Sequence, residues 1–327
     1  MDDKGSCRSL ETGPENWTQV TEFVLLRFPK SHILQALLFL GLMVAYVVTA
    51  TGNLLIIALS WVDRHLHTQM YLFLWNLSFL ELLLVSVVVP KMLVITLMGD
   101  RTISFASCIV QSYLYFLLGT TDFFLLAIMS LHRYLAICHP LHYETLMSSR
   151  VCSQLVLASW VAGSLWVLCP IILMATLPFC SPNGIEHFLC DSWPLLKLSC
   201  GDIRLLDLLA FVFSTSVLLG SLGLTSVSYT CILATVLRNP SAAERRKAFS
   251  TCTLHLTVVV IVYGSSIFLY IHLSEAQSLL LNKEASVLSC IVMSLLNPFT
   301  FSLRNDKMKQ ALGDSLRLLQ PTAARKL

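Results

Sequence analysis

Charge is scarce in this chain. Lys, Arg, Asp and Glu supply 13% of its 327 residues, against 56% hydrophobic residues and a mean hydropathy of +0.73. A soluble domain carries about 25% charged residues, and a chain of this size cannot hide so much apolar surface in one core. That excludes a water-soluble fold. Gly and Pro are few inside the apolar runs, and the runs lack the alternation over about ten residues that marks a membrane β-barrel strand. No compact Cys/His tetrad lies on one side of the expected membrane, so no metal site is expected. No nucleophile, base and orienter converge, which argues against an enzyme. No internal repeat with matched broken helices appears, which argues against a transporter. Residues 1–32 lack the apolar core of a cleavable signal peptide, so the first apolar run is expected to start insertion itself.

What the chain has is seven long apolar blocks, near 33–60, 70–89, 107–129, 153–177, 205–236, 255–273 and 285–303. Each approaches the roughly 20 residues a helix needs to cross a bilayer. The predicted class is all-α, a seven-transmembrane helix bundle. Its parts are an extracellular segment 1–32, a membrane domain 33–303 and a cytoplasmic tail 304–327. With the first residue outside, the inner segments hold 13 of the 22 Lys and Arg but 5 of the 19 acids. The inner side is then +8 and the outer side −3, the positive-inside bias. Asn16-Trp17-Thr18 is a glycosylation sequon in the segment assigned to the outside. Asn76-Leu77-Ser78 has the same pattern but falls inside a block, where no glycan is expected.

Of the 11 cysteines, Cys108 opens the third block, and Cys180, Cys190 and Cys200 lie in the outer loop 178–207. An oxidising exterior permits disulfides there. Four thiols allow three connectivities, and spacing does not choose among them. The loop, about 30 residues long, is expected to cap the outer mouth of the bundle.

The run Met129-Ser130-Leu131-His132-Arg133-Tyr134-Leu135-Ala136-Ile137-Cys138-His139-Pro140-Leu141 resembles the MxxDRYxAICxPL signature of vertebrate olfactory (odorant) receptors, which are rhodopsin-like G-protein-coupled receptors. Four further stretches agree in order and position: Gly52-Asn53, Leu66-His67-Thr68-Gln69-Met70-Tyr71, Lys247-Ala248-Phe249-Ser250-Thr251-Cys252, and Leu296-Asn297-Pro298 with Leu303-Arg304-Asn305. The texture is similar to class II receptors near the family-six group. A non-olfactory rhodopsin-like receptor is the nearest alternative, and a small-solute transporter a more distant one. The chain departs from the family pattern at four places. His132 stands for Asp, Gln69 for Pro, Phe301 for the Tyr of NPxxY, and Leu254 for a Ser.

The resemblance implies pairing of Cys108 with Cys190 and of Cys180 with Cys200. It implies a pocket for a small volatile odorant lined by Tyr115, Phe116, Gly119, Thr120 and Phe123, with Phe213, Ser214 and Val217, and with Tyr263, Ser266, Ile267 and Tyr270. Without it, aromatic residues at helical spacing read as plain packing. Glu81 and Asp122 are the acids inside the blocks, and an intramembrane carboxylate is a functional-site hypothesis by default. With Asn297 they are expected to hold a sodium ion or a shared proton. The plainer reading leaves both acids neutral and satisfied by Ser, Asn or backbone partners. No other cofactor is expected.

In relatives the Asp beside the motif arginine helps hold it at rest, a role His132 cannot fill as an anion. The resemblance assigns the switch and the face for a heterotrimeric, stimulatory (olfactory) G protein to His132, Arg133, Tyr134, Tyr229, Lys247, His255, Asn297, Pro298 and Phe301. The basic run from Arg245 to Lys247 also suits anionic membrane lipid. Residues 306–319 have the pattern of a short amphipathic helix along the inner surface. The expected location is the plasma membrane, in cilia of olfactory sensory neurons, reached with receptor-trafficking helper proteins. No nucleic-acid partner is expected.

Overall fold

Helix boundaries follow hydrogen-bond supply rather than hydropathy alone. The computed structural model describes residues 21–25, 31–179, 183–185, 187, 189–238, 241–273, 291–292, 294–295, 310 and 313. Its long helices are α1 (His32–Val62), α2 (Gln69–Met98), α3 (Phe105–Cys138), α5 (Ser149–Ala175), α7 (Arg204–Arg238) and α8 (Ala242–Leu273), with the short helices α4 (Pro140–Leu146) and α6 (Ser192–Leu196) between them. Five of these, α1, α2, α3, α5 and α7, are long and apolar enough to cross a membrane, and α8 carries a shorter apolar stretch, His255–Phe268. The first six apolar blocks thus coincide with helices. Of the seventh, residues 291, 292, 294 and 295 are helical, and the rest lies outside the described residues, as do nearly all of the tail and Asn16.

The helices overrun the blocks where polar residues continue them. Helix α2 passes through Pro90 to Gly99, whose φ of 71° is the left-handed cap that ends it. Helix α3 continues to Cys138 and so carries the whole Met129–Cys138 motif. Ser104 and Ser148 cap α3 and α5, accepting from the amides of Ser107 and Val151. Inside the helices, hydroxyls return to their own backbone: Ser86 to Leu82, Thr121 to Leu117, Ser159 to Leu155 and Thr257 to Thr253, at 2.7–2.9 Å. In lipid a hydroxyl has few other acceptors.

Helix α3 is the hub and touches α2, α4, α5, α7 and α8. Helix α5 packs against it at Gly163. A Cβ on Gly163 would meet the Thr121 hydroxyl at 2.5 Å, so a larger residue there requires that hydroxyl to shift. The outward faces of α1, α5 and α7 expose Leu37, Leu40, Val44, Leu157, Leu165, Leu208 and Phe211, an apolar belt of the kind lipid covers.

One end of the bundle is closed by a β-structure that composition did not announce. Strand β1 (Glu22–Leu25) is central, antiparallel to β2 (Thr102–Ser104) and parallel to β3 (Gly184–Ile185). Phe23 pairs with Ile103, and Leu25 with Ile185. The Phe23 ring is fully buried, 5.5 Å from Phe179 and 6.0 Å from Phe105. The lid is therefore built from three segments distant in sequence. In the turn before β2, the Thr102 hydroxyl and amide donate to Asp100, with the Lys91 ammonium 3.9 Å away. Those hydrogen bonds first, and then the ammonium, hold the Asp100 carboxyl below its ordinary value.

Candidate ligand and switch sites

The lid is tied to the bundle at the top of α3. Cys108 is disulfide-bonded to Cys190, the first pair the resemblance implies. One turn below, Gln111 accepts from the Cys190 amide at 3.4 Å and donates to the Val87 carbonyl of α2 at 3.0 Å. Gln111 thus joins lid, α2 and α3, a role the motif pattern did not signal. Cys200 is also disulfide-bonded, and Cys180, its expected partner, lies outside the described residues.

Below this tie, the α3 face expected to bind ligand carries an aromatic pair, a gap and a hydroxyl. Tyr115 and Phe116 meet edge-to-face at 5.3 Å. A Cβ built on Gly119 meets nothing within 4 Å, so open space lies beside this helix. Thr120 is half-buried next to it. One turn further, Phe123 lies 5.4 Å from Tyr263 of α8, and with Ile267, Leu218 and Val259 the two form a cluster joining α3, α7 and α8. The Tyr263 hydroxyl reaches Thr225 at 3.5 Å. Val217 is buried, and the half-buried Ser266 donates to the Val262 carbonyl at 2.7 Å. Phe213 turns instead to α5, edge-on to Trp166 at 4.9 Å, and Ser214 is exposed. The Tyr270 side chain lies outside the described residues.

Deeper in the bundle sit the two acids. Glu81 of α2 is 1% exposed and accepts a short hydrogen bond from the Ser294 hydroxyl. Asp122 of α3 is buried within Coulombic range of Glu81, and its Oδ1 has no partner among the described residues. The side-chain oxygens of Thr49 and Asn53, buried on α1, have no partner among the described residues either. Asn297 lies outside the described residues. Ser294 thus gives Glu81 a hydroxyl partner, while Asp122 Oδ1 stays buried without one among the described residues.

At the end opposite the lid, Arg133 is 8% exposed and makes no ion pair among the described residues. His132, Tyr143, Tyr229, Cys252 and His255 all lie within its Coulombic reach. His132 is buried between the rings of Phe73 and Tyr143, and its Nε2 is 2.6 Å from the Tyr143 hydroxyl. Burial raises the Tyr143 phenol above its ordinary value, so it stays protonated and able to hydrogen-bond. Tyr229 stacks on His255 with its hydroxyl 2.5 Å from Nδ1, and the opposite ring nitrogen, Nε2, is buried without a partner among the described residues. Tyr134 bonds His139 at 2.9 Å and packs with Ile232, Val236 and Cys252. The structure thus gathers His132, Arg133, Tyr134, Tyr229 and His255 at one end of the bundle. The Lys247 side chain, Pro298 and Phe301 lie outside the described residues. Sequence reasoning missed Tyr143; its signal was the aromatic hydroxyl three residues past Pro140, on the short helix after the motif.

Comparison with known proteins gives a family and a fold. The olfactory receptor family model matches residues 42–318. Human Olfactory receptor 6T1 is 75% identical over 314 residues, covering 96% of this chain and 97% of that protein. Mouse Olfactory receptor 6E1 is 47% identical, covering 93% and 98%. The crystal structure of squid rhodopsin superposes with a TM-score of 0.66 at 18% identity, covering 90% of this chain and 83% of that one.

Proposed function

The chain belongs to the olfactory receptor family, and from that premise we propose that it binds a small, mostly apolar odorant in the outer half of the bundle and activates a stimulatory G protein to raise cAMP. The observation that carries this reading is the open space beside Gly119, between the lid above and the Phe123–Tyr263 contact below. Aromatic walls with few hydroxyls suit a weakly polar ligand. Tyr115, Phe116, Gly119, Thr120, Phe123, Val217, Tyr263, Ser266 and Ile267 are the residues assigned to it here, with Phe213, Ser214 and Tyr270 at its margin.

Ligand contact with Tyr263 would act on α8 against α3 and α7, the helices that frame Arg133 at the other end. Movement of α8 would carry His255 away from Tyr229 and open a face for the G protein around Arg133, Tyr134 and Lys247. Glu81 and Asp122 form the site for a sodium ion or shared proton between those two ends. The lid faces the cell exterior and the Arg133 end the cytoplasm, in the plasma membrane of sensory cilia, with trafficking helpers needed to reach it.

The test is a cAMP reporter in cells supplied with receptor-trafficking helpers and screened against a broad odorant panel. A response should be lost in Thr120→Val and Tyr263→Ala at matched surface expression, and kept in a change on the exposed face of α1. A response indifferent to both pocket changes would remove the pocket assignment. Unchanged activation and sodium dependence in Glu81→Gln and Asp122→Asn would remove the ion site.

A further inference from the structure

Leu189, Cys190 and Asp191 are the lid residues tied to the outer end of α3. Two of their amides are satisfied within the lid. Leu189 donates to Nδ1 of His187 at 3.1 Å, and Asp191 donates to the Leu189 carbonyl at 2.9 Å, closing a tight turn centred on Cys190. The Cys190 amide donates instead to the Gln111 side chain of α3 at 3.4 Å. Of the three, it is the amide that reaches a helix. Leu189 and Cys190 are buried in the cluster against which Tyr115 and Phe116 pack, so the turn belongs to the same packed layer as the aromatic pair of the pocket.

The Cys108–Cys190 disulfide fixes one point of that turn to α3. A single link holds a distance and leaves the backbone around it free to swing. Gln111, one turn below Cys108, adds a second point, and the two together fix the turn's orientation. The same side chain donates to the Val87 carbonyl of α2 at 3.0 Å. Val87 adjoins Ser86, whose carbonyl loses its helical donor to Pro90, so Gln111 grips α2 beside the weak place in its ladder. Gln111 is buried, so water does not readily replace either bond. It faces the lid and α2, and about 12 Å of helix separates it from Gly119, so it acts on the pocket through the lid.

We propose that Gln111 is the latch of the lid, a positioning residue that holds the 189–191 turn shut over the pocket by bonding lid and α2 at once. Breaking it lets the turn swing about the disulfide and admits solutes to the space beside Gly119. A merely structural role would lower the melting temperature and leave that access as it was. The inference rests on the pocket assigned beside Gly119. Lid opening is read at Cys190 and pocket access at residue 119, so the two readings fail separately.

Purified full-length receptor carrying Gly119→Cys is exposed to 2-(trimethylammonium)ethyl methanethiosulfonate, a charged thiol reagent that stays out of the detergent interior. A Cβ at this position meets nothing within 4 Å, so the new side chain fits. Peptide mass spectrometry follows the adduct at residue 119 apart from those at the native thiols, and hydrogen exchange is followed at the Cys190 amide. Both rates should rise at least tenfold when Gln111→Leu is added. Gln111→Glu, which keeps an acceptor for the Cys190 amide, should stay within threefold of the intact latch. If Gln111→Leu lowers the melting temperature, Gln111→Met, closer to glutamine in length, repeats the measurement. Exchange at Cys190 unchanged in both apolar variants would overturn the latch alone. Faster exchange with residue 119 still unlabelled would overturn the gating role and the pocket beside Gly119 with it.

Discussion

His132 and Arg133 are neighbours with opposite needs. The guanidinium needs an anion or several acceptors, while His132 is already bound to Tyr143 and offers no negative charge. An aspartate at 132 would give Arg133 an anion held at fixed distance and favour the resting arrangement. His132→Asp is therefore expected to lower basal cAMP. A coupling of about 1 kcal/mol, at the low end for linked sites, corresponds to roughly fivefold in the resting–active balance. Equal constitutive activity in both versions at matched surface expression would refute it. Gly163 poses a purely steric question. An added methyl meets the Thr121 hydroxyl, which already donates to Leu117 at 2.8 Å. Gly163→Ala should cost about 1–3 kcal/mol, the range for overpacking, seen as a lower melting temperature in detergent. Thr121→Ala removes the clashing oxygen, so the double variant should recover most of the loss. A double variant no more stable than Gly163→Ala would show that the α3–α5 contact is not the cause.

Strand β1 shows how an element can hide in a charged segment. Phe23 and Leu25 are buried while Glu22 is exposed, but four residues of alternation are too few to stand out in a sequence. The Val24 and Leu25 amides bond to Asn183 and Arg101, and the Phe105 amide to Thr21. Phe23→Ala should cost about 3–5 kcal/mol of local stability, as for other buried aromatics. Hydrogen exchange at residues 24, 25 and 105 would then rise together, and Phe23→Leu should rise less. Exchange unchanged in Phe23→Ala would mean the strand does not secure the lid. The helices were easier to read, because lipid selects long apolar runs and six of the seven blocks coincide with helices. Their ends were not, since backbone bonding continues into polar sequence, as α3 does through Arg133 to Cys138. The grouping at the end opposite the lid was legible where a motif named a member, as at Arg133, while Tyr229 and His255 entered only through the family resemblance. The Gln111 bridge and Tyr143 depend on how helices meet, which spacing along one chain does not report.

At the scale of the molecule, two independent asymmetries point the same way. The lid end carries the Cys108–Cys190 bond and the bonded Cys200, whereas the free cysteines among the described residues, Cys138, Cys152, Cys169, Cys231 and Cys252, all lie within the long helices. Disulfides persist in oxidising compartments and thiols in reducing ones. The segments joining the helices at the end opposite the lid, together with the tail, hold the surplus of Lys and Arg that the positive-inside bias assigns to the cytoplasm. Covalent chemistry and charge therefore both support the proposed placement of the lid outside the cell. An epitope fused at residue 1 should be labelled on intact cells, and one at residue 327 only after the membrane is permeabilised. An even number of crossings would bring both tags to the same side, and with it the shared origin of lid, pocket and switch in a single outward-facing bundle would be lost.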